Sequence, residues 1–212
     1  MTPRSASVTP RDFPELTAQH VSGAKLYANR FDLVSDLQVK ASPLIAEVGV
    51  ALGTFSKFMI ERFKPSQFHA FDLFQIHHDA TLWGKPTKEV LGGLTHLDFY
   101  QRTMLGSPSL VVTHAGLSSE TLPKIPDSFF DLIYIDAAHT YDEVRADAKL
   151  SSSKLKDNGI LVFNDYIMYD PFVKAEYGIV PVVNEMVVNH GWKVIGFGLQ
   201  KDMFCDIAIQ RK

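Results

Sequence analysis

The sequence predicts an α/β fold, in which a doubly wound, mostly parallel sheet carries helices on both of its faces. Short apolar segments with strand character alternate with stretches of helical periodicity along most of the 212 residues. Several of these apolar segments end in or beside an acidic residue. The last two are joined only by Gln200, Lys201 and Asp202, which predicts an antiparallel hairpin.

The composition fits a single domain that can bury a full core. Hydrophobic residues make up 46% of the chain, and we expect residues 1–22 to form a flexible extension before one domain over 23–212. The formal net charge of −3 gives no electrostatic argument for binding nucleic acid or an anionic membrane. Cys205 is the single cysteine, and the sequence shows neither a signal-type segment nor an apolar run of about 20 residues, so we expect a cytoplasmic protein.

The first half of the chain is predicted to alternate between helix and strand. Apolar residues recur at helical spacing before the first strand, and a second helix starts with Thr54 as its N-cap, directly after Gly53. The expected elements are helix 22–39, strand 43–48, helix 54–63, strand 67–71, loop 74–86 and helix 88–104.

The second half is predicted to hold the remaining strands and two further helices. Thr140 and Glu143 form a capping box that starts a helix, and the pair Asn158-Gly159 ends it. The expected elements are strand 110–113, strand 129–135, helix 140–156, strand 160–163, helix 177–189 and strands 192–199 and 203–209.

Acidic side chains lie at or near the ends of four predicted strands. They are Glu47, Asp72, Asp136 and Asp165. In open α/β sheets, ligands bind at the edge formed by the carboxyl ends of the strands. The sequence therefore predicts a site for a polar ligand at that edge.

The turn after the first predicted strand carries two glycines and leaves two kinds of cofactor open. A nicotinamide site requires G-x-G-x-x-G, whereas this chain has Gly49 and Gly53, with Ala51 where a middle glycine would stand. Asp72, 19 residues after Gly53, could hold ribose hydroxyls for either cofactor. A tight strand–helix turn that binds no ligand is the third interpretation.

Two longer motifs narrow this choice. Residues 131–141 read D-L-I-Y-I-D-A-A-H-T-Y, and residues 158–165 read N-G-I-L-V-F-N-D. Together with E-V-G-V-A-L-G at 47–53 and the C-terminal hairpin, they resemble class I S-adenosylmethionine-dependent methyltransferases. The closest likeness is to the small-molecule O-methyltransferase branch, which includes macrolide-sugar and catechol-type enzymes. The resemblance covers residue 44 to the C-terminus and implies a Rossmann-like, seven-stranded sheet whose last strand is antiparallel.

The resemblance also implies roles for named residues toward S-adenosylmethionine. Glu47, Gly49 and Gly53 would line the methionine part, and Asp72 would hold the ribose. Gly116 and Leu117 would flank the adenine, and Asp136 would lie near the reacting methyl group.

His139 is the predicted proton acceptor, with Asp136 as its catalytic neighbour. Methyl transfer to a hydroxyl requires that the oxygen lose its proton, and a neutral imidazole can accept it near pH 7. His139 stands three residues after a predicted strand end, which places it over the cleft. The alternative is a histidine that caps the next helix or lies on the surface.

Asp136 and Asp165 are candidate ligands for Mg²⁺. If their strands are neighbours, roughly 4.8 Å apart, the two carboxylates end side by side, and oxygen ligands suit this ion. A metal there would lower the pKa of an acceptor hydroxyl. Catechol-type enzymes have an amide ligand after the second acid, but here Tyr166 stands in that place and Asn164 precedes the acid.

The sequence thus predicts a methyltransferase that uses S-adenosylmethionine, with optional help from Mg²⁺, to methylate a hydroxyl of a small-molecule acceptor. We expect neither nucleic acid nor a membrane as partner, and a homo-oligomer stays open because Leu26 and Tyr27 could pack on a neighbour. One alternative is an NAD(P)-dependent oxidoreductase with a degenerate glycine turn. The other is a non-catalytic cofactor-binding protein whose acceptor site has decayed.

Overall fold

A computed structural model describes residues 12–212, in which eight strands form one sheet. Across the sheet the strands lie in the order β1-β7-β8-β6-β5-β2-β3-β4. Only β8 runs antiparallel to its neighbours within this sheet. The strands are β1 Lys25–Tyr27, β2 Leu44–Val48, β3 Gln67–Asp72, β4 Leu110–Ala115, β5 Phe130–Ile135, β6 Leu155–Phe163, β7 Trp192–Leu199 and β8 Cys205–Arg211.

Seven α-helices, three short 3₁₀-helices and two short hairpins complete the described part of the chain. The hairpins pair Thr81–Leu82 with Lys85–Pro86 and Tyr169–Asp170 with Ala175–Glu176. The helices are α1 Arg30–Asp36, α2 Thr54–Phe63, α3 Thr87–Val90, α4 His96–Thr103, α5 Ser118–Thr121, α6 Tyr141–Lys154 and α7 Ile179–Asn189. Within residues 12–212, no helix is both long enough and apolar enough to cross a membrane.

The sheet separates two hydrophobic cores because successive side chains of a strand point to opposite faces. In β5, Ile133 and Ile135 face the core that α6 and α7 cover. Leu132 and Tyr134 face the other core, which receives side chains from α1, α2 and α4. Helices therefore cover both faces, and the predicted fold class, a mostly parallel sheet with an antiparallel last strand, is confirmed.

The sheet has eight strands rather than seven because residues predicted as helix form β1. Lys25–Tyr27 pairs in parallel with Gly196–Gly198 of β7. A Cβ atom on Gly196 would lie 2.7 Å from Leu33 Cδ1, and one on Gly198 would lie 3.0 Å from the Asn29 carbonyl oxygen. The two glycines thus let the β1–α1 segment lie close to β7, a tertiary effect that helical periodicity over 22–39 does not reveal.

Leu26 and Tyr27, the predicted self-association surface, consequently lie on this edge strand and not on a helix. Leu26 is exposed, whereas Tyr27 is partly buried and donates a hydrogen bond to Asp36 at 2.6 Å.

The helix predicted over 88–104 is two helices with a break between them. Gly92 and Gly93 both adopt positive φ, at 60° and 78°, which ends α3. Thr95 then caps α4, its side chain accepting a hydrogen bond from the backbone of Asp98. The segment 74–86, predicted as a loop, contains the first short hairpin.

Residues 12–22, part of the predicted flexible extension, lie against the domain. Leu16 and Val21 pack on the core beneath α7. The amide of Asn184 donates a hydrogen bond to the Pro14 carbonyl at 2.8 Å, and the backbone N–H of Val194 donates one to His20. The described part of the predicted extension is therefore held by the fold, and residues 1–11 lie outside the described residues.

Candidate active site

The four sequence-predicted acids meet at one edge of the sheet. Glu47 lies near the end of β2 and Asp72 ends β3, while Asp136 follows β5 and Asp165 follows β6. These four strands are parallel and adjacent in the order β6-β5-β2-β3. Their carboxyl ends therefore form a single acidic edge, as predicted.

The glycine turn between β2 and α2 is pressed against the end of β5. Gly49 has a φ of +86°, and a Cβ atom there would overlap the carbonyl oxygen of Asp136 and lie 2.8 Å from Ala137 Cα. The Gly49 N–H donates to the Phe71 carbonyl at 2.8 Å, so the turn is also attached to β3. A side chain at position 49 cannot fit without moving one of these backbones.

Gly53 is required for packing, and it replaces Thr54 as the N-cap of α2. Its φ is +77°, and a Cβ atom there would lie 2.7 Å from Met104 Cε and 2.9 Å from the Tyr100 ring. The prediction of Thr54 as the cap is wrong, because Thr54 is the first helical residue. A glycine in the left-handed region before α2 lets α4 approach the turn closely.

Glu47 lies beneath the turn. Its side chain is buried and accepts a hydrogen bond from the Ser56 hydroxyl, which itself accepts one from the Tyr100 hydroxyl at 3.0 Å. Burial raises the pKa of Glu47 well above its usual range. The carboxyl group therefore supports α2 from below and does not lie open at the edge, and its predicted role of lining the methionine part stays a prediction.

Asp72 connects β3 to the glycine turn. One carboxylate oxygen accepts the Val50 N–H at 2.9 Å, and the other accepts the Phe74 N–H at 2.7 Å. Gly116, whose φ is +137°, donates its N–H to the Asp72 carbonyl at 3.0 Å. The loop after β4, which continues into the partly exposed Leu117, thus turns beside Asp72, where the predicted ribose and adenine positions would adjoin.

His96 is a site residue that the sequence did not reveal. It is fully buried, its Nε2 lies 2.6 Å from the Ala51 carbonyl oxygen, and its Nδ1 lies 3.8 Å from an oxygen of Asp72. The ring therefore connects α4 to both the turn and the acid. The sequence carries no signal for this contact, because α4 is about 40 residues from the turn.

Arg30 is a second contact that the sequence did not predict. Its guanidinium lies 3.8 Å from the Asp136 carboxylate, 3.4 Å from the Tyr134 hydroxyl and 4.6 Å above the Phe55 ring. Burial raises the pKa of Asp136 to about 6, an effect that Arg30 opposes and Asp72 reinforces. The first residue of α1 thus sets the charge environment of the predicted catalytic acid.

A buried polar group lies behind Asp136 and centres on Asp206 of β8. Asp206 is fully buried and accepts hydrogen bonds from the Tyr134 hydroxyl at 2.5 Å, the Asn164 amide at 3.0 Å and the Gln200 amide at 2.6 Å. Burial raises the pKa of Asp206 to about 7. Asn164 therefore points into this group and not toward Asp165.

His139 lies beside Asp165 on the open side of the edge. Its Nε2 is 3.6 Å from a carboxylate oxygen of Asp165, and its ring stacks on Tyr177 at 4.3 Å between centroids and 19° between planes. Nε2 is buried and finds no hydrogen-bond partner among residues 12–212. Burial lowers the pKa of His139, while Asp170 and Glu143 act in the opposite direction.

Asp165 is also partly buried among acidic side chains, and this environment shifts its pKa. Burial raises the pKa of Asp165 to about 7, and the charges of Asp136 and Asp206 add to this effect. A carboxyl group that is partly protonated near neutral pH does not hold the adjacent imidazole in its charged form. The lowered pKa of His139 favours the neutral imidazole, whose Nε2 has no hydrogen-bond partner among residues 12–212.

The donor set does not fit the predicted Mg²⁺ site. In the described part of the chain, no group of three His, Cys, Asp or Glu side chains is arranged to hold a metal ion. Asp136 and Asp165 supply two carboxylates, but the amide of Asn164, the residue before the second acid, donates its hydrogen bond to Asp206. The magnesium prediction is not supported.

Among residues 12–212, carboxyl groups outnumber cationic side chains at this edge. Asp72, Asp136 and Asp165 line it, with Asp206 behind them, and Arg30 is the guanidinium that faces them. The raised pKa values of Asp136 and Asp165 show that negative charge is disfavoured here in the absence of a counter-charge. A ligand that brings positive charge would fit this edge better than an anionic ligand.

The strand order, the inserted antiparallel strand and the glycine turn beside an acidic edge define the fold of class I S-adenosylmethionine-dependent methyltransferases. A model of the methyltransferase-domain family matches residues 46–166, which is more than half of the chain, and the chain belongs to this family. The family resemblance drawn from the motifs is thereby confirmed, and it favours a sulfonium cofactor over a nicotinamide. No curated protein matches the chain in sequence.

Solved methyltransferase structures share this fold at low sequence identity. An O-methyltransferase from Bacillus cereus in complex with SAH has a TM-score of 0.58 at 13% identity, over 80% of this chain and 74% of that one. An S-adenosylmethionine-dependent methyltransferase from Mesorhizobium loti has a TM-score of 0.57 at 14% identity, over 85% and 95%. An rRNA methylase from Streptococcus thermophilus has a TM-score of 0.57 at 9% identity, over 85% and 93%.

Proposed function

We propose that the protein transfers the methyl group of S-adenosylmethionine to a hydroxyl of a small molecule, with His139 as the proton acceptor. The observation that carries this proposal is the buried Nε2 of His139, which has no hydrogen-bond partner within the described residues and lies 3.6 Å from Asp165 at the acidic edge. A nitrogen that is neutral, desolvated and unpaired is available to accept a proton from a bound hydroxyl.

The cofactor would lie between the glycine turn and the loop after β4. Asp72 would hold its ribose hydroxyls, Gly116 and Leu117 would flank its adenine, and the backbone of Gly49 and Gly53 would border its methionine part. Bound S-adenosylmethionine supplies an electrophilic methyl group on a positively charged sulfur. That charge and the charge of its amino group would meet the acidic edge, which supports this cofactor over an anionic one.

The residues of the chain would then act on the acceptor in one displacement. His139 would accept the proton of the bound hydroxyl at Nε2, and the oxygen freed of its proton would be the nucleophile for the methyl group that the cofactor supplies. The charges of Asp170 and Glu143, which favour the protonated ring, would stabilise the imidazolium that results. Asp136, whose carboxylate lies 3.8 Å from the Arg30 guanidinium, would lie near the reacting methyl group. Alignment of the oxygen with the methyl group supplies the remaining rate enhancement.

Calorimetry and a product assay test this proposal. S-adenosylhomocysteine should bind and NAD and FAD should not, and a panel of small hydroxyl compounds should yield S-adenosylhomocysteine from S-adenosylmethionine. The His139→Ala variant should bind S-adenosylhomocysteine normally but transfer methyl groups about 10²- to 10⁴-fold more slowly. Failure of S-adenosylhomocysteine to bind at millimolar concentration would overturn the cofactor assignment.

The panel also tests the expected exclusion of nucleic acid. An rRNA methylase shares the fold, so rRNA and tRNA fragments belong in the same assay as the small hydroxyl compounds. The net charge of −3 supports the small-molecule acceptor, since an RNA-binding surface is usually basic. Methylation of RNA without methylation of any small hydroxyl compound would overturn the acceptor class. Tight cofactor binding with no transfer at all would favour the non-catalytic alternative.

A further inference from the structure

We infer that Asp170 is a positioning residue for His139 and that it acts through the side chain of Tyr177. The inference rests on the proposed function only in treating His139 as the proton acceptor. The contacts themselves form a chain from the second short hairpin, through a phenol ring, to the imidazole.

The first link is the stack between Tyr177 and His139. The two rings are nearly parallel, with centroids 4.3 Å apart and an angle of 19° between their planes. Tyr177 is buried, so its ring forms a fixed wall on one side of the imidazole. A ring held flat against this wall cannot rotate freely, which keeps Nε2 directed toward Asp165.

The second link is the hydrogen bond that fixes Tyr177. The Tyr177 hydroxyl donates to one carboxylate oxygen of Asp170 at 2.8 Å. The other oxygen accepts the backbone N–H groups of Phe172 at 2.7 Å and Val173 at 3.2 Å. Burial opposes ionisation, but the three hydrogen bonds lower the pKa of Asp170, so the carboxylate is charged at neutral pH. A charged acceptor forms the stronger kind of bond to the phenol.

The third link is the backbone next to Tyr177. Gly178 donates its N–H to the His139 carbonyl at 2.7 Å, and a Cβ atom on Gly178 would overlap Tyr141 Cα and lie 2.9 Å from the Thr140 carbonyl carbon. Residues 177 and 178 are thus in direct contact with both the ring and the backbone of the 139–141 segment. A displacement of Tyr177 would therefore also displace His139, because the two residues are in direct contact.

A purely local role for Asp170 is the competing explanation. In that case Asp170 shapes the tip of its hairpin through Phe172 and Val173, and the bond to Tyr177 is incidental. The two explanations separate in the Tyr177→Phe variant. It keeps the stack and both backbone bonds of Asp170 but removes the phenol hydroxyl.

Two readouts that need neither cofactor nor acceptor test the inference on the full-length protein. NMR of the imidazole Cε1–H group, assigned with the His139→Ala variant, reports the stack, because an aromatic ring parallel to the imidazole shifts this signal upfield. Mass spectrometry reports the rate at which diethyl pyrocarbonate modifies His139, with the exposed His190 as an internal reference.

The contacts from Asp170 through Tyr177 to His139 predict a specific pattern of results in these two measurements. Tyr177→Leu should remove the upfield shift of His139, and Tyr177→Phe should retain most of it. Asp170→Asn and Tyr177→Phe should each speed modification of His139 about threefold, and their combination should do so about threefold and not ninefold, because both remove one bond. Tyr169→Phe, on the same hairpin and exposed, should change neither readout.

Three outcomes would overturn the inference. An unchanged His139 signal in Tyr177→Leu would show that the ring does not hold the imidazole. Faster modification in Asp170→Asn but not in Tyr177→Phe would show that Asp170 acts on His139 through its charge or through the hairpin and not through the phenol, as would a fully multiplicative double variant. If Tyr169→Phe speeds modification of His139 as much as the other variants do, substitutions on this hairpin loosen the structure in general and the specific contacts are not involved. Because no methyl transfer is measured, failure of the proposed function would leave these results interpretable.

Discussion

The two sides of the candidate site are built in different ways. On the cofactor side, formed by the glycine turn, Asp72 and the loop after β4, backbone atoms make the decisive contacts and a Cβ at position 49 has no room. On the acceptor side, formed by Asp136, His139 and Asp165, side chains from distant segments meet, and raised or lowered pKa values mark their crowding. We therefore expect added side-chain volume to disrupt the first side, and changes of charge to alter the second side.

The largest effect should come from filling the cofactor side. Gly49→Ala places a methyl group against the Asp136 backbone at a φ of +86°, and we expect it to lower the free energy of unfolding by about 3 kcal/mol or more. Urea denaturation measures this change. Gly93→Ala is the matched control, since φ there is +78° but a Cβ atom would meet no described atom within 4 Å, and about 1 kcal/mol is expected. Equal losses in the two variants would mean that the contact with β5 is not tight.

A smaller but still large effect should follow from the buried group behind the acceptor side. Asp206→Ala leaves the Tyr134 hydroxyl and the Asn164 and Gln200 amides without their shared acceptor, so we expect a loss of about 3 kcal/mol in the free energy of unfolding. Binding of S-adenosylhomocysteine should change little once the variant is folded. A variant of normal stability would show that water replaces the carboxylate easily.

The pH dependence of stability should reveal a third region, the stacked pair His69 and His114 on β3 and β4. Nδ1 of His69 lies 3.0 Å from Nε2 of His114, and burial lowers the pKa of His69 to about 4. The folded state therefore binds fewer protons than the unfolded state, whose histidine pKa is about 6.5. The His69 contribution is fully present above pH 6.5 and is lost as the pH falls toward 4.

The difference between wild type and His69→Gln isolates this contribution. We expect wild type to lose roughly 2–3 kcal/mol relative to the variant between pH 6.5 and 4, measured by urea denaturation at each pH. The raised carboxyls Asp136, Asp165 and Asp206 titrate in both proteins, so their opposite effect cancels in the difference. A constant difference across this range would contradict the assignment.

Asp72→Asn should affect ligand binding more than folding. The variant replaces an oxygen acceptor for two backbone N–H groups and for the ribose that we propose Asp72 holds, and we expect S-adenosylhomocysteine to bind about 10- to 100-fold more weakly. Calorimetry measures the affinity, with the exposed Asp79→Asn as control. Unchanged affinity would place the ribose elsewhere.

The smallest expected effect is that of a chelator. Because the donor set supplies two carboxylates without a third ligand among the residues described, EDTA should leave the rate of methyl transfer unchanged. A rate that falls more than about tenfold and returns with added Mg²⁺ would restore the metal hypothesis for Asp136 and Asp165.

More of the geometry of the proposed cofactor side than of the proposed acceptor side could be predicted from the sequence, and the reason is the range of the interactions. The turn at Gly49 and the acids at strand ends follow from local pattern and from the geometry of parallel sheets. Arg30 and Tyr177 reach the site through contacts between elements far apart in the chain, which periodicity does not encode. Even within a motif, the sequence does not show where a side chain is placed. The spacing of Glu47 fits the family, but its carboxyl group is buried under the turn.

Local sequence patterns were also insufficient to predict some details of the fold. Residues 25–27 have helical periodicity around them, yet they form a strand because Gly196 and Gly198 open a place beside β7. By contrast, the helix break at Gly92 and Gly93 could have been predicted from the sequence, because two glycines in succession rarely continue a helix.

Strand β1 has a further consequence for the behaviour of the molecule in solution. Without it, the eight residues of β7 would form the outer edge of the sheet, with a row of backbone groups free to pair with another chain. The three residues of β1 cover part of this row and present Lys25, which is paired with Asp36 at 2.7 Å. A short edge that carries a charge is a poor template for the addition of a strand from another molecule.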